Sequence, residues 1–334
     1  MALLPESSPR RVFFSDDGPT GIEVALRVAD QYWRLRRSER HQFIAFRSGY
    51  RGDTAGTASL GAAATLQTAS PWTFPAIQIP DVQALEALTP AEIAKIAAMV
   101  IEPLIQGAAG MRVWPPGTLR VVRDWCSQTD TLLIVDEVMT GFGRTGRMFA
   151  TEHEGVTPDV MVLDKGLTGG YLPLAITIIS EKLFLVFNSS VADGEALAHG
   201  HSYTGNALGC AAAKASLPMF ENEGVLEALQ PKIRHLSSGV DSLKGLPGIK
   251  EVRQCGFIAG IETPRAETAA AVCTQAPRHG LLTRPIRNVV VLMSPLCITM
   301  AQLSKAVEAV RASITKVSRS TNGFATKNVE EITA

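Results

Sequence analysis

Two short runs constrain this chain more than any other feature: TLLIVDEV (Thr131–Val138) and DVMVLDK (Asp159–Lys165). Each has an apolar centre with no polar alternation. A strand with one wet face alternates; a strand that is apolar throughout is covered on both faces, as in a parallel sheet between helix layers. QFIAF (Gln42–Phe46) and MVIEP (Met99–Pro103) read as further strands, and GTLRVVRDWCSQTD (Gly117–Asp130) as a helix that follows them. The segment RVFFSDDGPTGIEVALRVADQYWRLRR reads as a strand, a turn and a helix that starts near Pro19, with Asp16 or Asp17 available as its cap. Strands alternating with helices predict a doubly wound α/β core with right-handed crossovers.

The chain has 334 residues, of which 46% are hydrophobic. That is enough for a large core and a smaller second one. The pattern changes after TGNALGCAAAKASL, where one long helix is expected from about Asn206 into the 230s. Strand candidates follow in IKEVRQCGFIAGIE and GLLTRPIRNVVVLMSP, then a helix in MAQLSKAVEAVRASITKV. The expected organisation is a large domain over 1–219, a small α+β domain over 220–318, and a polar, disordered tail over 319–334. Lysine plus arginine balance aspartate plus glutamate at 32 each, so no basic excess points to nucleic acid. The cysteines Cys126, Cys210, Cys255, Cys273 and Cys297 are scattered and form no C-x-x-C pair. That usage predicts buried free thiols and a cytoplasmic protein rather than a disulfide framework or a zinc site. His199 and His201 are close in sequence, but without nearby further ligands they read as structural, and no metal is expected. No stretch reaches membrane-spanning length without a charge or a breaker.

In a parallel α/β sheet, ligands bind beyond the carboxyl ends of the strands. Asp136, Glu102, Lys165 and the SDDG turn all fall at such ends. Any one of them alone reads as an ordinary solvated strand-end charge; together they describe one crevice. SDDGPTGIEVAL brings a helix N-terminus there, whose free N–H groups suit a phosphate, although it is neither a P-loop nor a G-x-G-x-x-G turn. A phosphate site, a strand-end aspartate and a lysine beside glycines suggest pyridoxal phosphate. The aldehyde of that cofactor needs a lysine amine, and its ring nitrogen needs a buried carboxylate to stay protonated. Tyr50, just past a strand end, is available to cover a ring face.

The segments FFSDDGPTGIEVAL, FRSGYRGDT, IEPLIQGAAGM, LLIVDEVMTGFGRTG, LDKGLTGGYLPLA, GHSYTGNALGCAAA and HGLLTRPIRNVVVLMSP occur in one order over most of the chain. With these segments, and with a lysine 29 residues beyond the aspartate of VDEVMTGFGRTG, the chain resembles the class III pyridoxal-phosphate aminotransferases. LTGGYLPLA, GHSYTGN and TRPIRN resemble the biotin-synthesis branch of that class. The resemblance implies a fold type I transferase: a mostly parallel sheet with helices on both faces, plus a smaller C-terminal α+β domain. It implies transfer of an amino group from S-adenosylmethionine to 8-amino-7-oxononanoate, with lysine as an alternative donor. It also implies that Lys165 holds the cofactor covalently and moves the proton, that Asp136 pairs with the ring nitrogen, and that Val138 lies opposite Tyr50 on the ring. Gly18 and Pro19 would hold the phosphate, with His201 and Ser202 supplied by the partner of a homodimer. Gly200 and Tyr50 would border the substrate, and Arg284 would receive its carboxylate. Outside the resemblance, Arg284 reads as a surface arginine, Ser202 as a turn residue, and Glu102 with Arg144 as a structural ion pair.

Several positions depart from the family. Pro19 stands where serine is common and removes a hydroxyl and an N–H. Arg51 replaces the histidine after Tyr50. Asp164 precedes the lysine where a small residue is usual, and an anion there opposes the lowered pKa that an amine nucleophile needs. The family carries an N-terminal segment before VFFSD that supplies aromatic residues to the pocket, and the stretch from GDTAGTASLG to MVIEP reads as shortened. The expectation is a chain lacking that N-terminal part, with little or no activity toward 8-amino-7-oxononanoate; the alternatives are another class III aminotransferase with a different donor or keto acid, or a catalytically impaired fragment of the family.

Overall fold

The computed structural model describes residues 10–61, 73–187, 195–197 and 199–330, with side chains to 319. The end of the expected tail and residues 62–72, within the stretch expected to be shortened, lie outside the described residues. In chain order the first strands are β1 (Arg10–Ser15), β2 (Gln42–Phe46), β3 (Ile77–Ile79), β4 (Ile96–Ile101), β5 (Ile105–Gln106) and β6 (Arg112–Val113). They are followed by β7 (Leu132–Asp136), β8 (Val160–Leu163), β9 (Ala175–Ser180), β10 (Glu251–Cys255), β11 (Ile258–Glu262), β12 (Pro285–Ile286) and β13 (Val289–Leu292). The helices are α1 (Gly18–Leu35), α2 (Ala55–Leu60), α3 (Pro90–Ile93), α4 (Thr118–Gln128), α5 (Glu181–Phe187), α6 (Ala207–Asn222), α7 (Val225–Asp241), α8 (Ala266–Gln275) and α9 (Met300–Glu330).

The chain divides into two compact units. The first holds residues 1–107 and 114–224; the second holds 108–113 and 225–334. In the first, a seven-stranded sheet runs β1-β9-β8-β7-β4-β2-β3. β8, β7, β4, β2 and β3 pair in parallel, while β9 is antiparallel to both of its neighbours. The uninterrupted apolar strands are buried throughout, as the sequence pattern requires. One face packs on α1 and α5 through residues such as Ile22, Val28, Trp33 and Leu183; the other packs on α4 through Leu119, Val122 and Cys126. Each such fully buried aliphatic side chain contributes about 1.5–3 kcal/mol. α1 crosses close over β8 because Gly21 has no Cβ; one built there would meet Val162 Cγ1 at 2.7 Å.

The second unit has an antiparallel sheet, β10-β11-β13-β12, whose core is shared with α7, α8 and α9 through Leu236, Val272, Leu303, Val310 and Ile314. The segment 108–113 belongs here: Arg253 Nη2 donates to the Gly110 carbonyl at 2.8 Å. The long helix expected from Asn206 is two helices. α6 ends at Asn222 and α7 starts at Val225, because Gly224 takes a left-handed φ of +57° that a helix cannot carry. The stretch expected to be a disordered tail from 319 is instead helical as far as Glu330. Helix propagation is inexpensive once the first turns of α9 are anchored in a core. Among the described residues no helix is long and apolar enough to cross a membrane. All five cysteines are free; Cys126 and Cys273 are buried, whereas Cys297 is exposed, against the expectation of uniformly buried thiols. Burial pushes Cys126 up to about 12 and Cys255 and Cys273 to about 11, so those three thiols are held in the unreactive form.

Candidate active site

The period of two along a strand decides which strand-end side chains share a face. On β7, Leu132 and Ile134 pack with α1, and Leu133 and Val135 pack on the opposite face. Asp136 continues the α1 side. Ala98 and Val100 of β4 put Glu102 on that side, and Val160 and Val162 of β8 do the same for Asp164. The register aligns Ile101 with Val135, which sets Glu102 level with Asp136, and Asp136 with Val162, so Asp164 stands two residues further out on the same side. Three carboxylates on adjacent strands therefore lie along one rim, on the side of the sheet covered by α1.

The start of α1 meets that rim. Asp17 is its cap: Thr20 N–H donates to Asp17 Oδ1 at 2.9 Å, and Thr20 Oγ1 accepts from Asp17 N–H at 3.0 Å. Gly18 is buried, and its N–H donates to Asp164 Oδ2 at 2.8 Å. A Cβ on Gly18 would lie 3.0 Å from both methyls of Val138 and 3.2 Å from Asp164 Oδ2. Gly18 thus lies close to both Val138 and Asp164. The loop after β2 closes on the same place. Gly52, at φ +122°, lies so near the Pro19 ring that no Cβ would fit. Tyr50 N–H donates to Glu102 Oε1 at 3.0 Å, its hydroxyl donates to Asp53 Oδ2 at 2.9 Å, and its ring is 44% exposed.

Asp136 is buried and accepts one hydrogen bond, from Val138 N–H at 3.1 Å. Burial pushes its carboxyl above the usual range; Arg51, the Val138 amide and Lys165 oppose the shift, and Asp164 adds to it. Arg51 is the buried cation of this rim, donating to the carbonyls of Leu60 at 3.2 Å and Val100 at 2.8 Å. Its own burial lowers its pKa, and the charges of Glu102 and Asp136 counter that. Burial takes Glu102 up to about 7 in spite of Arg51 and the amides of Gly107 and Tyr50. The cation bearing on Glu102 is therefore Arg51.

Lys165 opens the turn after β8, exposed, at φ +46°. A left-handed lysine costs about 1–2 kcal/mol. The turn is held by Leu167 N–H on the Asp164 carbonyl and Gly170 N–H on the Lys165 carbonyl, both at 3.1 Å. Gly166 also allows close contact with Phe142, whose ring carbon lies 2.7 Å from its would-be Cβ. Strain of this kind at a single polar residue is common at functional sites. The Lys165 ammonium makes no hydrogen bond or ion pair with a described residue. Glu137, to which the sequence assigns no role, orders the loop between β7 and β8. Fully buried, it accepts from Thr140 Oγ1 at 2.6 Å, Thr151 N–H at 2.9 Å and Ala150 N–H at 3.0 Å. Its signal was a second carboxylate inside an otherwise apolar strand end.

His201 stands beside the SDDG turn of its own chain, with Nδ1 3.2 Å from Asp16 Oδ2 and Nε2 3.1 Å from His199 Nε2. Gly200 and Ser202 are exposed. In the second unit, Arg284 is exposed just before β12. β12 and β13 form a hairpin turning at Arg287 and Asn288, with Ile286 paired to Val289 and Arg287 at φ +55°.

Two observations test whether these residues fit pyridoxal phosphate. Asp136 is a buried carboxylate whose one hydrogen bond is to a backbone amide; a protonated ring nitrogen is the partner such a group wants. Lys165 presents an unengaged amine on the adjacent strand, with its charge already bearing on Asp136. The residues fit the group.

A family model described as aminotransferase class-III matches residues 1–314. The adenosylmethionine-8-amino-7-oxononanoate aminotransferase of Geobacter sulfurreducens is 40% identical over 337 aligned residues, covering 91% of this chain and 74% of that protein. The enzyme of the same name from Aquifex aeolicus is 37% identical, covering 95% and 78%. Its crystal structure from Methanocaldococcus jannaschii superposes with a TM-score of 0.90 at 34% identity, over 94% of this chain and 77% of that one. The omega transaminase of Pseudomonas jessenii, solved in complex with PMP, superposes with a TM-score of 0.88 at 26% identity, over 95% and 77%. The expected fold of pyridoxal-phosphate transferases is thus the observed one, and the chain belongs to the class-III aminotransferases.

Proposed function

We propose that this chain is the pyridoxal-phosphate-dependent enzyme that moves an amino group from S-adenosylmethionine to 8-amino-7-oxononanoate, giving 7,8-diaminononanoate for biotin synthesis. The observation that carries the aminotransferase reading is the placement of Lys165 and Asp136 at adjacent strand ends on one rim of the sheet. The choice of substrates rests on relatives of that name at 33–40% identity. Bound at this rim, pyridoxal phosphate supplies an electrophilic carbonyl and an electron-poor ring that stabilises negative charge on the reacting carbon. Lys165 would hold the cofactor through its amine, and the same amine, once freed, would carry a proton from the donor carbon to the cofactor carbon on the other side of the intervening nitrogen. Asp136 keeps the ring nitrogen cationic. Val138 and Tyr50 cover the two ring faces. Gly18 and Pro19 form the phosphate cup, and His201 and Ser202 complete it from the partner in a homodimer, although in the single chain His201 stands beside its own SDDG turn. Gly200 and Tyr50 border the substrate, and Arg284 receives the acceptor carboxylate. The scattered free cysteines support a cytoplasmic location.

The test is direct. The protein, supplied with pyridoxal phosphate, S-adenosylmethionine and 8-amino-7-oxononanoate, should yield 7,8-diaminononanoate by mass spectrometry. Product with lysine but not S-adenosylmethionine would change the donor. Amination of other keto compounds while 8-amino-7-oxononanoate is ignored would overturn the substrate assignment and leave a different class-III aminotransferase.

A further inference from the structure

The first turn of α1 has few amide hydrogens to offer. Pro19 has none. Thr20 N–H is taken by Asp17 Oδ1 and Gly21 N–H by the Asp17 carbonyl, both at 2.9 Å. The remaining one, Gly18 N–H, donates to Asp164 Oδ2 at 2.8 Å. A carboxylate from the residue before Lys165 therefore sits where a phosphate oxygen would bind, at the positive end of a buried helix. The backbone at Gly18 is closely packed, since a Cβ there would lie 3.0 Å from both Val138 methyls.

We propose that Asp164 is a resident anion in the phosphate cup, and that the cofactor's phosphate binds only by displacing it from Gly18 N–H. This rests on the pyridoxal-phosphate reading above. Asp164 holds the empty cup in its folded shape and sets how tightly the chain keeps its cofactor. The charges around it are Lys165 beside it, Asp17 on the turn before α1 and Asp136 at the end of β7. Two of those three are negative, so a dianionic phosphate arriving beside an ionised Asp164 meets an unfavourable cluster. Replacing Asp164 with a neutral residue frees one N–H and removes one repulsion. Release from the cup also frees the Asp164 carboxylate to accept from solvent, since the residue is only half-buried.

The test separates an effect on phosphate from an effect on the lysine. Pyridoxal phosphate and pyridoxal, which lacks the phosphate, are titrated by absorbance into the parent protein, Asp164→Ala and Asp164→Asn. If Asp164 competes with phosphate, Asp164→Ala binds pyridoxal phosphate about tenfold or more tightly than the parent, the scale of one hydrogen bond to a charged group. Asp164→Asn, which keeps an acceptor for Gly18 but no charge, falls between them. Pyridoxal binds all three proteins alike. Equal affinity of the three for pyridoxal phosphate overturns the proposal, and so does an equal gain for pyridoxal, which places the effect at Lys165. If Asp164→Ala fails to fold, Asp164→Asn alone decides, by the same comparison of the two ligands. No binding of pyridoxal phosphate by any of the three removes the cofactor reading itself, and the proposal with it.

Discussion

Each unit places a glutamate in a polar cluster, and the two are treated in opposite ways. Glu102, at the end of β4 in the first unit, is pushed up to about 7 by burial, with one buried arginine and two backbone amides opposing the shift. Glu262, at the end of β11 in the second, is also penalised by burial but is held at about 2. It accepts from Lys250 Nζ at 2.7 Å, Arg253 Nη1 at 2.5 Å and Asn288 Nδ2 at 3.2 Å. The second cluster is saturated with its own donors, as a structural ion-pair network should be. The first is short of positive charge: Asp136 and Glu102 share Arg51, and Asp136 and Asp164 are raised as well. A group of under-compensated carboxylates at a strand-end rim marks where a cationic ligand group is to be received.

The largest effect should come from removing the charge that receives it. Asp136→Asn is isosteric and loses the means to keep a ring nitrogen protonated. Turnover should fall by at least about a hundredfold, the scale of a lost electrostatic contact in a transition state. The melting temperature should not fall, because an uncompensated buried charge has gone. Near-parental turnover in that variant would break the contrast between the two clusters.

Arg51 is the next test. Arg51→Met leaves Glu102 and Asp136 without their shared cation and should cost about 3 kcal/mol in urea unfolding at pH 8, as for a buried charge that loses its partner. The loss should shrink toward pH 6 as Glu102, already raised to about 7, takes up a proton. A cost that does not vary with pH would mean Arg51 acts only through its bonds to the Leu60 and Val100 carbonyls.

The smallest effects sharpen the comparison through pH alone. Glu102 holds its proton in the folded state after the unfolded chain has released it, so its contribution to stability falls as pH rises from about 4.5 to about 7. Glu262 behaves in reverse: its contribution is present above about 4.5 and is lost as pH falls toward about 2. Glu102→Gln should flatten the neutral slope and leave the acid limb, and Glu262→Gln should do the opposite without changing cofactor affinity. Identical pH profiles for the two variants would contradict the assignment of one cluster to function and the other to structure.

The sequence made the sheet legible where its strands are apolar throughout, because only double-sided burial explains LLIV and VMVL. It made Asp136 and Lys165 legible because the first follows such a run directly and the second stands one residue beyond one. What it hid depends on contacts between distant residues. Nothing near Asp164 announces that its partner is Gly18, 146 positions away. Nothing in YRGDT shows that Arg51 is buried and bears on two carboxylates, and the segment 108–113 gives no sign that it joins the second unit. The split between α6 and α7 was readable at Gly224 but was outweighed by the helical pattern on both sides. β9, lying between β1 and β8, carries the apolar run of its neighbours, and its reversed direction follows from topology rather than composition.

The central claim is that Lys165, just beyond the strand end next to Asp136 and bearing on it by charge, is the cofactor's point of attachment. The protein is incubated with pyridoxal phosphate, reduced with borohydride and digested, and its peptides are mapped by mass. The account predicts the cofactor's mass on the peptide containing Lys165, and its loss in Lys165→Ala. The same label on a different lysine, with Lys165 unmodified, would contradict it.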